Sequence, residues 1–447
     1  MSTSQPVDTI ISSTEEGLLI HPEEFVNTLP SLQYQYEALC IEDVCVDTLV
    51  QEYGTPLYVY SKQAILSAYE AYENSFAMID HQICYAVKAN SNLSVLKVLV
   101  EAGAGFDIVS RGELARVLAA GGDAKKVVFS GVGKTKKDIE AALQAGIGCF
   151  NVESVSELEL IQKVARRLDK VAPISLRVNP NVDAGTHPYI STGLRDNKFG
   201  ITHEEAVAVY QQAAEFSNIQ VVGIDCHIGS QLTEVAPFLA ALDKVIELVE
   251  TLQEKGITLE HIDLGGGLGV RYIDETPVSI ADFAEALLPK LQALNLKLFL
   301  EPGRSIVANA GILLTQVDVL KPTAHKNFAI VDAAMNDLIR PALYQAQMAV
   351  LPAVLPSSLG IDTYKCWEIV GAICETGDFL AKQRLLSLAV GDVLAITGAG
   401  AYGFVMSSNY NTRARAAEVM VSEDQHWLIR PRETIEQLFA QEQALLS

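Results

Sequence analysis

Between residues 83 and 305 the chain alternates eight short β-branched runs with longer amphipathic ones. The short runs fall at 83–88, 106–109, 127–130, 149–152, 174–179, 222–227, 261–264 and 298–301. Between them, apolar residues recur at helical spacing over 93–102, 113–120, 137–145, 157–168, 204–216, 236–255 and 280–294. Capping-box spacing opens several of these: Thr135 with Asp138, Ser154 with Glu157, Thr202 with Glu205, and Ser279 with Asp282. Gly103, Gly121, Gly146 and Gly256 follow helix ends, where a left-handed cap is wanted. Eight such units over roughly 220 residues predict an α/β fold with a TIM (β/α)8 barrel. A doubly wound sheet is the rival, but it would need a long switch-point crossover among units this uniform.

After about residue 306 the rhythm is lost. Strand-like runs at 328–331, 367–372, 393–397 and 417–421 have no regular helices between them, which predicts a C-terminal β-rich domain. A run at 56–60 is expected to add a strand to it, and 434–446 reads as a closing helix. The expected division is a disordered acidic leader over 1–20, a segment over 21–60 partly joining the β domain, the barrel over 61–315, and the β domain over 316–447.

Charge narrows the partners. The net charge is −22, and ten acidic side chains precede Lys62, the first Lys or Arg. Such a field repels polyanions, so nucleic acid and anionic membrane surfaces are excluded as default partners. Apolar stretches are broken by acidic residues too often to span a bilayer. The leader has neither the positive start of a secretory signal nor the arginines of a transit peptide. Seven scattered cysteines without a C-x-x-C spacing indicate neither a disulfide framework nor a zinc site, and a reducing cytoplasm fits them.

Barrel chemistry sits at the C-terminal ends of the strands, so those positions can be read in order. The first run ends in Lys88, set in Tyr-Ala-Val-Lys-Ala-Asn at 85–90. A lysine there is ordinarily solvated or ion-paired, yet its apolar neighbours would favour Schiff-base chemistry. The sixth ends in Asp-Cys-His-Ile-Gly-Ser at 225–230, where His227 could equally be a core residue and Ser230 a cap. The seventh ends in the glycines 265–267, and the eighth in Glu301-Pro302-Gly303-Arg304. Glycines let backbone N–H groups approach a phosphate, and barrels often bind phosphate at the loops after strands 7 and 8. A lysine, a phosphate cradle, a planar histidine and a carboxylate on one rim are what a pyridoxal 5'-phosphate site requires.

These motifs resemble the alanine-racemase-fold pyridoxal phosphate (PLP)-dependent decarboxylases of the ornithine, lysine and arginine class, and within them the branch acting on diaminopimelate. The resemblance runs from about residue 55 to 420 and implies an alanine racemase-like fold. It implies that Lys88 carries the cofactor and His227 stacks on its ring. Ser230, Gly266 and Gly267 would hold its phosphate, and Glu301 would pair with the ring nitrogen. Pro302, Gly303 and Arg304 would complete the cofactor and substrate contacts, and Asp107 and Arg177 would support the rim. In the β domain, residues 371–378 resemble a segment reaching into a neighbouring subunit's site, which implies a homodimer with shared active sites. Cys374 would then return a proton after CO2 leaves, and Glu375 would meet the substrate's distal ammonium. Arg340 and Tyr344 would bind a distal carboxylate with Arg304, and Tyr402 would reach phosphate or substrate. Read without the resemblance, Cys374 is a small hydrophobe, Glu375 an exposed charge, Arg340 half of a surface ion pair, and Tyr402 a strand-edge aromatic.

The implied reaction is decarboxylation of meso-2,6-diaminopimelate to L-lysine and CO2, the last step of lysine biosynthesis. Segments 187–193 and 197–200 also resemble the diaminopimelate branch. The alternatives are an ornithine- or arginine-type decarboxylase on the same fold and a non-catalytic regulatory relative. Arg304 and Arg340 would repel the cationic tail that the first alternative binds. The second would be expected to lack Lys88 or Cys374.

Overall fold

The computed structural model describes residues 11–14, 17–182, 197–356 and 363–442, which form two compact units. One unit takes in residues 66–270 and 276–306. It is built on eight parallel strands: β1 (His81–Ala86), β2 (Gly105–Ile108), β3 (Val127–Phe129), β4 (Cys149–Val152), β5 (Ala172–Asn179), β6 (Ile219–Asp225), β7 (His261–Asp263) and β8 (Lys297–Leu300). Each pairs with the next, and β8 returns to β1 through Leu298↔His81 and Leu300↔Ile83, so the barrel closes. Closure leaves no sheet edge, and most of the strand residues are apolar and buried. Phe106, Phe129 and Phe150 are fully buried, each worth about 2–3 kcal/mol in surface removed from water.

The helices lie where the periodicity put them, shifted by at most two residues at their ends: Leu93–Glu101, Arg111–Ala119, Lys136–Ala145, Val155–Arg167, His203–Ala214, Ala236–Glu254 and Ile280–Leu294. Thr135 and Asp138 form the expected reciprocal box. Ser154 and Ser279 accept from the third backbone N–H of their helices. Thr202 instead gives its hydroxyl to Glu205, 2.8 Å away, and makes no bond to the helix backbone. No described helix is long and apolar enough to cross a membrane.

The other unit takes in residues 1–65, 271–275 and 307–447. Its main sheet has eleven strands. The predicted runs appear as Leu57–Ser61, Asn327–Val331, Lys365–Val370, Val393–Ile396 and Ala417–Ser422. Leu57–Ser61 lies inside the sheet, antiparallel to Gly311–Pro322 and parallel to Ala417–Ser422. Its alternating Leu57 and Val59 pack with Ile312, Leu314, Leu351, Val419 and Val421 in the core. Gly311–Pro322 crosses the expected boundary at 315/316. It was unmarked in the sequence because it begins at a glycine directly after the last barrel element.

Three features depart from expectation. Ile11–Thr14 and Gly17–Ile20 form an antiparallel hairpin within the stretch expected to be a disordered leader, and Leu18 pairs with Arg384 at the sheet edge. Cys40 and Cys45 form a disulfide. They are direct partners of antiparallel strands Ala38–Ile41 and Val44–Cys45, joined by a turn too local for C-x-x-C spacing to signal. The closing helix is only Ile435–Phe439 among the described residues.

Candidate active site

At the mouth of the barrel, β1 runs into a single tight turn, Val87–Ala89, whose apolar members are buried while Lys88 keeps a third of its side chain accessible. Its Nζ lies 2.5 Å from Asp107 Oδ2, which β2 supplies from full burial. The turn is held from across the barrel, because Ala86 N–H donates to the Pro302 carbonyl at 3.0 Å. Gly303 fits between the Cβ atoms of Ala86 and Ala89, which would stand 3.0 and 3.1 Å from any added Cβ.

His227 follows β6. Gly266 N–H donates to its Nδ1 at 3.2 Å, which places the ring proton on Nε2. Burial first, then the charges of Arg177 and Lys88, hold this imidazole far below its ordinary pKa, so it is neutral. Gly265 carries φ +65°, and a Cβ there would strike the His227 ring at 2.6 Å. At Gly266 a Cβ would come within 2.2 Å of the Glu301 carbonyl oxygen, and at Gly267, φ +117°, within 2.4 Å of the Gly229 carbonyl. The loops after β6, β7 and β8 therefore approach too closely for side chains at these glycines, which leaves a cradle of main-chain groups at the rim. Arg304 Nη2 donates to Ser230 Oγ at 2.8 Å across the same place.

Glu301 is buried at the end of β8, and its Oε1 accepts from Ser130 Oγ at 3.3 Å and Asn151 Nδ2 at 3.2 Å. Burial, followed by Asp107, Asp263 and Asp225, pushes its carboxyl well above the usual range. Arg177 on β5 donates to Glu153 Oε1 at 3.0 Å and stands 3.9 Å from Asp225. Glu153 Oε2 also accepts from Gly200 N–H at 2.8 Å. Ser130, Asn151, Glu153, Asp225 and Asp263 escaped the sequence reading as site residues. Their signal is a polar residue at or just beyond the C-terminal end of an otherwise apolar strand.

Lys88, Asp107, Arg177, His227, Ser230, Gly266, Gly267, Glu301, Pro302, Gly303 and Arg304 all belong to the barrel unit. The remaining expected residues belong to the β unit. There Arg340 is buried with its guanidinium 4.5 Å over the Tyr272 ring, and Tyr344 ends the same short helix, Arg340–Tyr344. Cys374 and Glu375 are exposed on a loop stapled by Asp378, which accepts from Ile373 N–H at 2.8 Å and Met335 N–H at 2.7 Å. Cys374 N–H donates to Asn411 at 3.0 Å, and Glu375 accepts from Tyr410 Oη at 2.5 Å. Tyr402 adopts φ +56°, a left-handed conformation rare for an aromatic residue and common where a backbone is held for function. Segment 187–193 lies outside the described residues.

A closed parallel barrel with a lysine, a glycine cradle, a neutral histidine and a buried carboxyl on its rim fits pyridoxal phosphate chemistry. The chain matches a family model described as Pyridoxal-dependent decarboxylase, pyridoxal binding domain, over residues 62–308. It is 59% identical over 417 residues to a diaminopimelate decarboxylase of Pseudomonas aeruginosa, covering 93% of this chain and all of the relative. Among solved structures, diaminopimelate decarboxylase from Helicobacter pylori complexed with L-lysine superposes with TM-score 0.85 at 43% identity, covering 89% of this chain and 98% of that one. The enzyme from M. jannaschii in co-complex with L-lysine gives TM-score 0.89 at 38% identity, covering 93% and 98%. The chain belongs to the diaminopimelate decarboxylase family.

Proposed function

We propose that this chain removes one carboxylate from meso-2,6-diaminopimelate to give L-lysine and CO2, with pyridoxal phosphate held at the barrel rim. The observation that carries this reading is the convergence of Lys88, His227, the 265–267 glycines and Glu301 on the ends of β1, β6, β7 and β8. The rim fits the cofactor on its own terms. Its glycines leave backbone where any side chain would collide, and its buried Glu301, a carboxyl pushed well above the usual range, is a group with which a ring nitrogen would share a proton.

When bound, the cofactor supplies an electron sink for the pair left behind as CO2 departs. In this reading Lys88 Nζ would hold the cofactor, and Asp107 would keep that ammonium in place when the lysine is free. His227, neutral and fixed by Gly266, offers its flat face to the ring. Gly266, Gly267, Gly303, Ser230 and Arg304, with the flanking Pro302, anchor the phosphate, and Glu301 pairs with the ring nitrogen. Arg340, Tyr344 and Arg304 bind the distal carboxylate, for which a planar guanidinium is suited. Glu375 meets the distal ammonium, Tyr402 closes on phosphate or substrate, and Cys374 Sγ hands its proton to the carbon that has lost CO2.

The exposure of Cys374 and Glu375 on one loop supports a second part of the proposal, that they serve the site of a partner copy in a homodimer. A cytoplasmic setting belongs to the same reading. The test is CO2 and lysine release from purified protein with pyridoxal phosphate and, separately, meso-diaminopimelate, L-ornithine and L-arginine. Lysine from diaminopimelate alone is expected. CO2 from ornithine or arginine would overturn the assignment of Glu375, Arg304 and Arg340.

A further inference from the structure

Strands β6 and β7 place Asp225 and Asp263 side by side in register, and Glu301 follows at the end of β8. All three are buried, and an oxygen from each lies within 4.8 Å of the other two. Few positive charges serve this group. Lys88 is engaged by Asp107, and Arg177 stands 3.9 Å from Asp225 while making its shorter contact, 3.0 Å, with Glu153. Around Asp263 the other titratable neighbours are Asp107 from β2, Cys84 from β1 and Cys149 from β4, whose thiols burial and then Asp263 push well upward. Five carboxyl groups thus share a barrel mouth with three cations, Lys88, Arg177 and Arg304, so the carboxyls outnumber the charges that could balance them and protons on some are favoured.

The hydrogen bonds say which. Asp263 Oδ1 accepts from Gly265 N–H at 2.8 Å, a bond that favours the ionised form, while its Oδ2 is buried with no hydrogen-bond partner. Glu301 accepts only from the side chains of Ser130 and Asn151, at the longer distances of 3.3 and 3.2 Å, and Asp225 has no backbone donor among the described residues. Burial and their neighbours push both well above the usual range, whereas Asp263 rises only to about 6. The Gly265 contact thus favours the charge on Asp263 and leaves Glu301 as the member that takes the proton.

Resting on the reading that the rim binds pyridoxal phosphate, we propose that Asp263 is a positioning residue for the cofactor. Its buried carboxylate, fixed by Gly265, makes the pair formed by Glu301 and the ring nitrogen retain its proton. On binding, the Glu301 O–H bond breaks as an N–H bond forms on the ring nitrogen, and no proton is exchanged with solvent. The apoprotein tolerates a crowded anion because the holoprotein uses it.

Asp263→Asn keeps the shape and the Gly265 contact while removing the charge. Apoprotein is titrated with pyridoxal phosphate, its melting temperature is taken without cofactor, and the pH dependence of cofactor absorbance is recorded. The expected result is roughly ten-fold weaker cofactor binding and a spectral transition moved to lower pH, together with a higher apoprotein melting temperature. Affinity and spectrum unchanged would overturn the proposal. Affinity and melting temperature falling together would show a merely structural role and also overturn it. Wild-type protein that binds no cofactor would sink the rim reading itself, an outcome visible before any variant is made. Should the Asn variant fail to fold, infrared difference spectra of wild type decide. Cofactor binding is expected to remove one protonated-carboxyl carbonyl band, and an unaltered band would refute the inference.

Discussion

Lys88 Nζ sits 2.5 Å from Asp107 Oδ2, a contact between a lysine with a third of its side chain accessible and a wholly buried carboxyl. Asp107 has nowhere else to place its charge, so the pair presents Lys88 at the rim in one orientation. Lys88→Ala is expected to cut turnover by about 10³-fold or more, since nothing else here supplies a nucleophilic amine. Borohydride reduction of the loaded wild type should fix the cofactor on this residue, and a labelled peptide lacking Lys88 would contradict the assignment.

Gly266 has no space for a side chain, with the Glu301 carbonyl 2.2 Å from where a Cβ would stand. Gly266→Ala must push apart the loops after β7 and β8, at a cost of about 2 kcal/mol or more. Equilibrium cofactor titration should show weakened binding even where circular dichroism shows the barrel folded.

Lys134 is buried with its Nζ donating to Glu157 at 2.7 Å and to the carbonyls of Gly131 and Asn151 at 2.9 and 2.7 Å. Removing the lysine leaves a buried carboxylate and two carbonyls unmatched. Lys134→Met should lower stability by about 3 kcal/mol in urea denaturation. Because the same contacts hold Asn151 beside Glu301, cofactor retention should fall with it.

His261 is buried and stacked 4.2 Å from the Phe299 ring, and burial followed by Lys297 lowers its pKa to about 4. Above pH 6.5 it is neutral folded or unfolded and costs nothing. As pH falls from 6.5 to 4 the unfolded chain takes a proton that the folded one refuses, so stability is lost across that window, by up to about 3 kcal/mol. His261→Phe should flatten this part of the denaturation profile relative to wild type. Parallel profiles would show that His261 does not govern it.

Cys374 and Glu375 are exposed, so substitution should spare the fold. Cys374→Ser is expected to change stability by less than about 0.5 kcal/mol while lowering kcat roughly 10²-fold. Mixing inactive Lys88→Ala with inactive Cys374→Ala should restore activity if the loop serves a partner's site. A mixture as dead as its components would show that each chain works alone.

The barrel was legible because its strands and helices obey two different periods and their caps carry side-chain signatures, as at Thr135 and Ser154. Site residues that interrupt an apolar strand end with unusual chemistry, such as Lys88 and Glu301, were legible too. Asp225 and Asp263 were not, because a single acidic residue at a strand end looks like ordinary punctuation. Their meaning comes only from β6 and β7 standing in register. The Cys40–Cys45 bridge was hidden for a similar reason, since its cause is a local turn between partners. In the β unit, Phe379–Leu386 and Gln425–Arg430 carry Lys, Arg and Gln on partly exposed faces, so hydrophobic patterning gave no warning of them.

Leu57–Ser61 is flanked in its sheet by Gly311–Pro322 and Ala417–Ser422, the one following it by some 250 residues and the other by some 350. On a ribosome, which delivers the chain from its N-terminus, the barrel is complete before either neighbour emerges. The early strand must therefore wait with both backbone edges unsatisfied, a state prone to wrong pairing. Chains halted before residue 417 would carry a finished barrel and a strand with one edge still open. The quality of the product thus hinges on how fast translation covers the last third of the message.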